Sequence, residues 1–347
     1  MRPISLASCV GKVIEHACLN RVTTILEKRD AFGTHIIGFC RGLSTQDSML
    51  QIKEQVVNAP STHARALLGL NIKSAFETVK HAAILDKISQ LGLGSRSHRY
   101  VSSFLTGRKA TGSVLSPMLF NLIMIGLPER LDAIEGINHT IYADDVTVWT
   151  TANTSVGEMQ ERTQQAVRAV EHHLEGTVLV CSPDKSEILL HRPREKEPYS
   201  QAVLDARRLG IRVMTKKGTQ IPTVSKIRVL GLWLEENGAN HELVVRLQKK
   251  VAAATHLVRR IAEKKEKKLK GRNLTKLIHA YSPRHIAYVT AYADWNRSET
   301  EKLNAAIRRA FKVALGVPQY TETRRLLELG VHNTLDEIAE AQRIAQL

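Results

Sequence analysis

The amino-acid sequence predicts an α+β chain: a small antiparallel sheet with its own helices, followed by an almost wholly helical C-terminal part. Three observations carry this. Residues 138–151 read as strand–turn–strand, with Asp144-Asp145 between Thr140-Ile141-Tyr142 and Val146-Thr147-Val148-Trp149. Residues 155–175 place Val156, Met159, Thr163, Val167, Val170 and Leu174 at helical spacing and stop at Gly176. From about residue 241 the apolar spacing is helical to the end. At 347 residues, and roughly 150 per domain, there is room for two domains or one large divided one.

The remaining elements follow in order. Val10, Val13, Ile14, Ala17, Val22, Ile25 and Leu26 set a helix over 8–28, broken by Gly33 and Gly38. Ser44 or Thr45 caps a second helix running to about Asn58, with Met49, Ile52 and Val56 on one face and Pro60 closing it. Ala66-Leu67-Leu68-Gly69-Leu70-Asn71-Ile72 is a short apolar run that reads as a buried strand. Helical patterns occupy about 80–91 and 97–106. Residues 114–134 look helical around Leu119, Leu122, Ile123 and Leu127, with an interruption at Pro128. Ser186–Leu190 and Ile227–Leu234 read as strands on either side of a polar stretch. In the C-terminal part, Val244, Leu247, Val251, Leu257 and Ile261 form a stripe that reads as core.

Composition removes several classes. The longest strongly apolar run, 118–127, is too short to span a bilayer, and the N-terminus carries no extended apolar signal region. Cys9, Cys18, Cys40 and Cys181 lack CxxC spacing, so reduced thiols in an intracellular protein are expected rather than a zinc module. Lys+Arg number 50 against 34 Asp+Glu, a net +16 that fits either a polyanion partner or a solvated basic surface. Residues 246–276 hold twelve of those cations and two acids. A merely soluble surface mixes its signs, so this localisation favours a nucleic-acid track.

Tyr142-Ala143-Asp144-Asp145 is the sharpest chemical feature. Two adjacent acids at a turn between apolar strands can hold Mg²⁺, which takes hard oxygen ligands, and paired Mg²⁺ ions serve phosphoryl transfer. Asp is also an ordinary hairpin-turn residue. The flanking segments bear on that choice. Arg2-Pro3-Ile4-Ser5-Leu6, Gly38 to Asp47, Leu70-Asn71-Ile72-Lys73-Ser74-Ala75-Phe76-Glu77, Gly112 to Asn121, Tyr142–Asp145, Ser182-Pro183-Asp184-Lys185-Ser186-Glu187 and Val229-Leu230-Gly231-Leu232-Trp233 occur in one order. That series resembles the reverse transcriptases of non-LTR (LINE-type) retrotransposons: two fingers motifs, then palm motifs A, B, C and D, then motif E, the primer grip. Each is weak alone; seven in order are not easily met by chance.

The resemblance implies a right-hand polymerase fold: fingers over 1–60, a palm over 61–236 and a basic helical thumb with its extension over 237–347. It implies Mg²⁺ as cofactor and an RNA template, DNA primer and dNTPs as partners, with no membrane. Asp144 and Asp145 match the metal ligands, and Asn71 stands at the third ligand position. Phe76 matches the aromatic gate that crowds a ribose 2′-OH. Lys185 matches the motif D lysine, a candidate proton donor to pyrophosphate, and Arg2 matches a triphosphate contact. The family's reaction makes a nuclear location the expectation.

Three departures qualify it. Motif A of the family begins with aspartate, where this chain has Asn71, and the acid further on is Glu77. The family's Pro-Gln segment before motif B is missing: Leu105-Thr106-Gly107-Arg108 runs through Lys109-Ala110-Thr111 into Gly112. The gap near 108–112 is expected to strip palm strands of partners and leave exposed edges. The match also starts inside the first fingers motif, so no upstream endonuclease is expected, and no RNase H signature follows. The sequence therefore reads as a degenerate copy of the polymerase with little or no activity. Two alternatives stand beside it: a non-catalytic, basic nucleic-acid-binding remnant, and a helical protein-interaction scaffold built on 241–347.

Overall fold

In the computed structural model, which describes residues 8–58, 64–73, 79–106, 113–151, 155–192, 210–263, 271–328, 330 and 332–345, the chain divides into two units. The first comprises 1–230 with 236–238, and the second 231–235 with 239–347.

In the first unit, α1 (Cys9–Lys28) starts where the Ser8 hydroxyl accepts the Gly11 N–H at 3.0 Å. Helix α2 (Thr45–Ile52) opens on a capping box, Ser44 with Asp47, and continues as one π-helical turn to Val57. Strand β1 (Arg65–Asn71) is followed by α3 (His81–Gln90) and α4 (Ser95–Leu105). The predicted helix over 114–134 is two helices, α5 (Ser116–Met124) and α6 (Leu127–Asp132). Its break lies at Gly126, not Pro128. Gly126 takes φ 93, open to glycine, whereas Pro128 sits in the first turn of α6, where a missing N–H costs nothing.

Strands β2 (Ile137–Tyr142) and β3 (Asp145–Thr150) make the predicted hairpin, and α7 (Val156–His173) follows behind its own capping box of Ser155 and Glu158. Then come β4 (Glu187–His191), β5 (Val213–Met214), β6 (Gln220–Ile221), β7 (Thr223–Val224) and β8 (Lys226–Val229). The sheet has five strands in the order β2-β3-β1-β4-β7. Neighbours are antiparallel, as expected of the sheet, except the two-residue β7, which runs parallel to β4. The predicted strand 227–234 is split, because Leu230 (φ 49) and Gly231 (φ 99) turn the chain between β8 and β9 (Leu232–Glu235).

Period-2 alternation sorts the sheet's faces. Leu68, Leu70, Ile72, Val146, Val148, Ile188 and Leu190 belong to the unit's core, with Met159, Ala166, Val167 and Val170 of α7 packed into it. Gly69, Asn71, Asp145, Thr147 and Glu187 lie on the opposite face. The β2 edge is covered by the segment before α2, with Ile37 N–H donating to Ile141 O at 2.9 Å and Ile141 N–H donating to His35 O at 2.8 Å; the gap itself lies outside the described residues.

The second unit is a helical cluster: α8 (His241–Glu263), α9 (Gly271–Tyr281), α10 (Pro283–Thr290), α11 (Arg297–Leu315), α12 (Thr323–Glu328) and α13 (Leu335–Ile344). Val244, Leu247, Val251 and Val258 of α8 and Leu303, Ile307, Phe311 and Ala314 of α11 are buried. Leu257, read above as core, is 50% exposed; Val258 keeps the helical phase instead. No described helix is long and apolar enough to cross a membrane.

Candidate active site

Asn71, the last residue of β1, pairs with Asp145, the first residue of β3. The adjacent pair Tyr142–Asp145 closes the β2–β3 hairpin, so Ala143 and Asp144 form its turn. Ala143 holds φ 55 without being glycine, one of five such residues among those described. Ile72 N–H donates to Asp144 O at 3.3 Å and ties the turn to motif A. The motif D turn is fastened from the other side. Ser182 N–H donates to Asn71 O at 2.8 Å, Asn71 N–H donates to the Ser186 hydroxyl at 3.1 Å, and that hydroxyl donates to Ser182 O at 2.8 Å. Three motifs far apart in sequence thus share one backbone network at the sheet's end.

A second brace sits under the hairpin turn. Gly38 lies so close that an added Cβ would meet Ala143 N at 2.5 Å and Tyr142 backbone at 3.1 Å. The buried Asn121 of α5 donates its amide to Gly38 O. The start of motif B is held by Glu15 of α1, which is buried and accepts from the Ser113 hydroxyl at 2.9 Å and Val114 N–H at 3.0 Å.

Asn71, Asp145, Lys185, Glu187 and Arg228 line a cavity of about 60 Å³. It is far below the roughly 300–1,000 Å³ of a small-molecule pocket, a volume suited to ions and water. Burial, reinforced by the Asp144 carboxylate, pushes the Asp145 carboxyl above its usual range, against the pull of the Asn71 contact and Arg228. Asn71 Nδ2 lies 3.5 Å from Asp145 Oδ1, a long and weak hydrogen bond. At position 71 the side chain is an amide whose N–H side faces the acid, and the cavity's carboxylates come from Asp145 and Glu187, with Asp144 next to Asp145 in the turn.

Of the residues singled out from sequence, Asn71, Asp145 and Lys185 line one cavity, and Asp144 stands beside Asp145 in the hairpin turn, outside that lining. Phe76, Arg2 and the gap near 108–112 fall outside the described residues. Sequence reasoning missed Arg228, Ser186 and the Gly38–Asn121 brace. Ser186 lies inside motif D, but a buried serine leaves no periodic signal, and Arg228 belongs to a strand read only for its apolar positions.

An acid-bearing hairpin paired to motif A on a helix-backed sheet is the arrangement of a polymerase palm. Residues 1–234 match the family described as reverse transcriptase (RNA-dependent DNA polymerase), and the chain belongs to that family. It is 29% identical over 168 residues to the probable RNA-directed DNA polymerase from transposon X-element of Drosophila melanogaster, covering 42% of this chain and 18% of that protein. It is 27% identical over 195 residues to the RNA-directed DNA polymerase from mobile element jockey of Drosophila funebris, covering 49% and 21%. The polymerase from transposon BS of Drosophila melanogaster aligns over 97% of this chain and 39% of its own length, at 20% identity. The chain thus spans well under half of these relatives. Among solved structures, Candida albicans telomerase in complex with a TWJ fragment of telomeric RNA aligns at TM-score 0.46 and 9% identity, over 92% of this chain and 56% of that one.

Proposed function

We propose that this chain is the polymerase domain of a non-LTR-type retrotransposon reverse transcriptase, descended from an enzyme that extends a DNA primer on an RNA template with dNTPs, and that this copy synthesises little or no DNA. The observation that carries the second half is Asn71 standing opposite Asp145. Two Mg²⁺ ions bring four positive charges, and one of three expected carboxylates is an amide. Loss of one preorganised electrostatic group costs on the order of 3–4 kcal/mol in the barrier. A bridging metal ligand is worth at least that. Asp144 and Asp145 are the residues left to hold a divalent ion, and Lys185 stands by the same cavity as the candidate acid. The reaction implies access to nuclear DNA.

Retention of nucleic acid without synthesis is the second reading, and one feature of the second unit favours it. A groove of about 760 Å³ between α8 and α11 has Val251, Ala252 and Ala306 in its lining and Lys249, Arg259, Lys302 and Arg309 around it. A cationic rim of this kind suits a phosphate backbone. Primer extension on an RNA template with dNTPs and Mg²⁺ tests the reading. The unaltered chain and Asp144→Ala are expected to give near-background product, and Asn71→Asp to raise it. Robust synthesis by the unaltered chain overturns the inactive assignment. No gain from Asn71→Asp points to the motif B gap as the lesion.

A further inference from the structure

Away from the palm acids, two histidines and an aspartate converge. His35 comes from the segment covering the β2 edge, His139 from β2 itself, and Asp132 from the end of α6. One ligand atom from each lies within 4.8 Å of the other two. His35 Nε2 and His139 Nδ1 are each 3.7 Å from Asp132 Oδ1, and the two rings are tilted by 33° with centroids 4.3 Å apart.

Hydrogen bonding fixes what these atoms offer. His35 Nδ1 lies 3.1 Å from His139 O. A carbonyl oxygen only accepts, so Nδ1 carries a hydrogen, and in the neutral ring Nε2, on the Asp132 side, is the nitrogen that can ligate. A backbone carbonyl accepting from the other ring nitrogen is a usual orienting partner of a metal-bound imidazole. The His139 side chain is 0% exposed, and neither of its ring nitrogens has a hydrogen-bond partner. Buried polar groups in this condition are uncommon and call for an explanation.

We propose that His35, His139 and Asp132 form a binding site for a Zn²⁺-class divalent transition ion, which pins the edge-covering segment to β2. Two imidazoles and one carboxylate select such ions over Mg²⁺. Zn–N and Zn–O bonds near 2.0–2.2 Å put tetrahedral ligand atoms roughly 3.3–3.5 Å apart, a contraction of about 0.3 Å from the two nitrogen–oxygen distances, with the two nitrogens drawn in from within 4.8 Å of each other. Asp132, 53% exposed, leaves the solvent side open for a water ligand. The pinned segment runs on to Gly38, which braces the Ala143-Asp144 turn, so the ion would stiffen the wall behind the palm acids. The site stands independently of whether the palm is catalytic.

The test is Co²⁺ titration of the EDTA-treated full chain, read by visible d–d absorption, with Zn²⁺ competition and thermal melts. One saturable Co²⁺ per chain is expected, displaced by Zn²⁺, without a thiolate charge-transfer band, together with a Zn²⁺-dependent rise in Tm. His35→Gln and Asp132→Asn should weaken binding at least tenfold and abolish the Tm rise while leaving the metal-free melt and circular dichroism unchanged. Asp132→Asn is the decisive variant, since its side chain is exposed and its loss does not threaten folding. Absence of saturable Co²⁺ absorption, an unchanged affinity in Asp132→Asn, a thiolate band, or binding without the Tm rise overturns the proposal.

Discussion

Asn71 and Asp145 face each other across β1 and β3, with the Asn71 amide nitrogen 3.5 Å from Asp145 Oδ1. An amide at that place has two consequences. It relieves a crowded acidic cluster when no ion is bound, and it withholds a charge when one is. Asn71→Asp should therefore lower the stability of the metal-free chain by about 1 kcal/mol, since like charges a few ångströms apart in a half-exposed site repel modestly. Millimolar Mg²⁺ should restore the loss. Thermal melts of both forms with EDTA and with Mg²⁺ check this, and equal melts in all four conditions contradict it.

The Gly38 brace makes a second prediction. A methyl group there would strike Ala143 N at 2.5 Å, and backbone cannot move aside cheaply. Gly38→Ala should cost on the order of 1–3 kcal/mol. Gly157 in α7 has nothing within 4 Å of the same added atom, so Gly157→Ala should be neutral or mildly stabilising. Urea unfolding of the pair distinguishes a specific clash from a general intolerance of alanine.

Thiol chemistry should follow burial. Desolvation pushes the Cys181 thiol up to about 12, with Glu171 adding to it, and the Cys40 thiol up to about 11, with Glu27 adding to it. Cys9 is exposed on α1. In native iodoacetamide labelling near pH 8, Cys9 should modify first, and Cys181 only after denaturant is added, because the thiolate is the reacting form. Peptide mass mapping reads the order; early labelling of Cys181 would contradict the packing described.

Acid should destabilise the first unit through His173. Burial holds its imidazole below the usual value, against the pull of its hydrogen bond to Ile123 O at 2.8 Å. With the folded pKa depressed, the stabilisation is present in full above the unfolded pKa near 6.5 and is lost as pH falls, because the unfolded chain takes up the proton first. The loss is bounded at about 1.4 kcal/mol per pH unit for one proton. His173→Gln, whose amide can still donate to Ile123 O, should flatten urea-measured stability between about pH 6.5 and 5. A slope unchanged by the substitution would assign the acid sensitivity elsewhere.

The hairpin, α7 and the helical second unit were legible because long periodic segments announce themselves. So was the meeting of Asn71 with the acidic turn, which follows from motif order. What escaped has physical causes. Strands β5 to β7 are two residues each, too short for alternation to register. The break at Gly126 was misplaced to Pro128 because proline disrupts helices everywhere except in the first turn. Leu257 and Val258 are neighbours of equal apolarity, and only the phase of packing chooses between them. His35 and His139 are 104 residues apart, so no spacing rule joins them; the join is made by a strand edge being covered.

The central claim is that the palm is built for a divalent ion and is short of one carboxylate at position 71. Mn²⁺, a paramagnetic stand-in for Mg²⁺, reads this directly when titrated by electron paramagnetic resonance in an Asp132→Asn background. The unaltered chain should bind weakly, Asn71→Asp at least tenfold more tightly, and Asp144→Ala added to Asn71→Asp should erase the gain. Equal affinity with Asn or Asp at position 71, or a gain that survives Asp144→Ala, would contradict it.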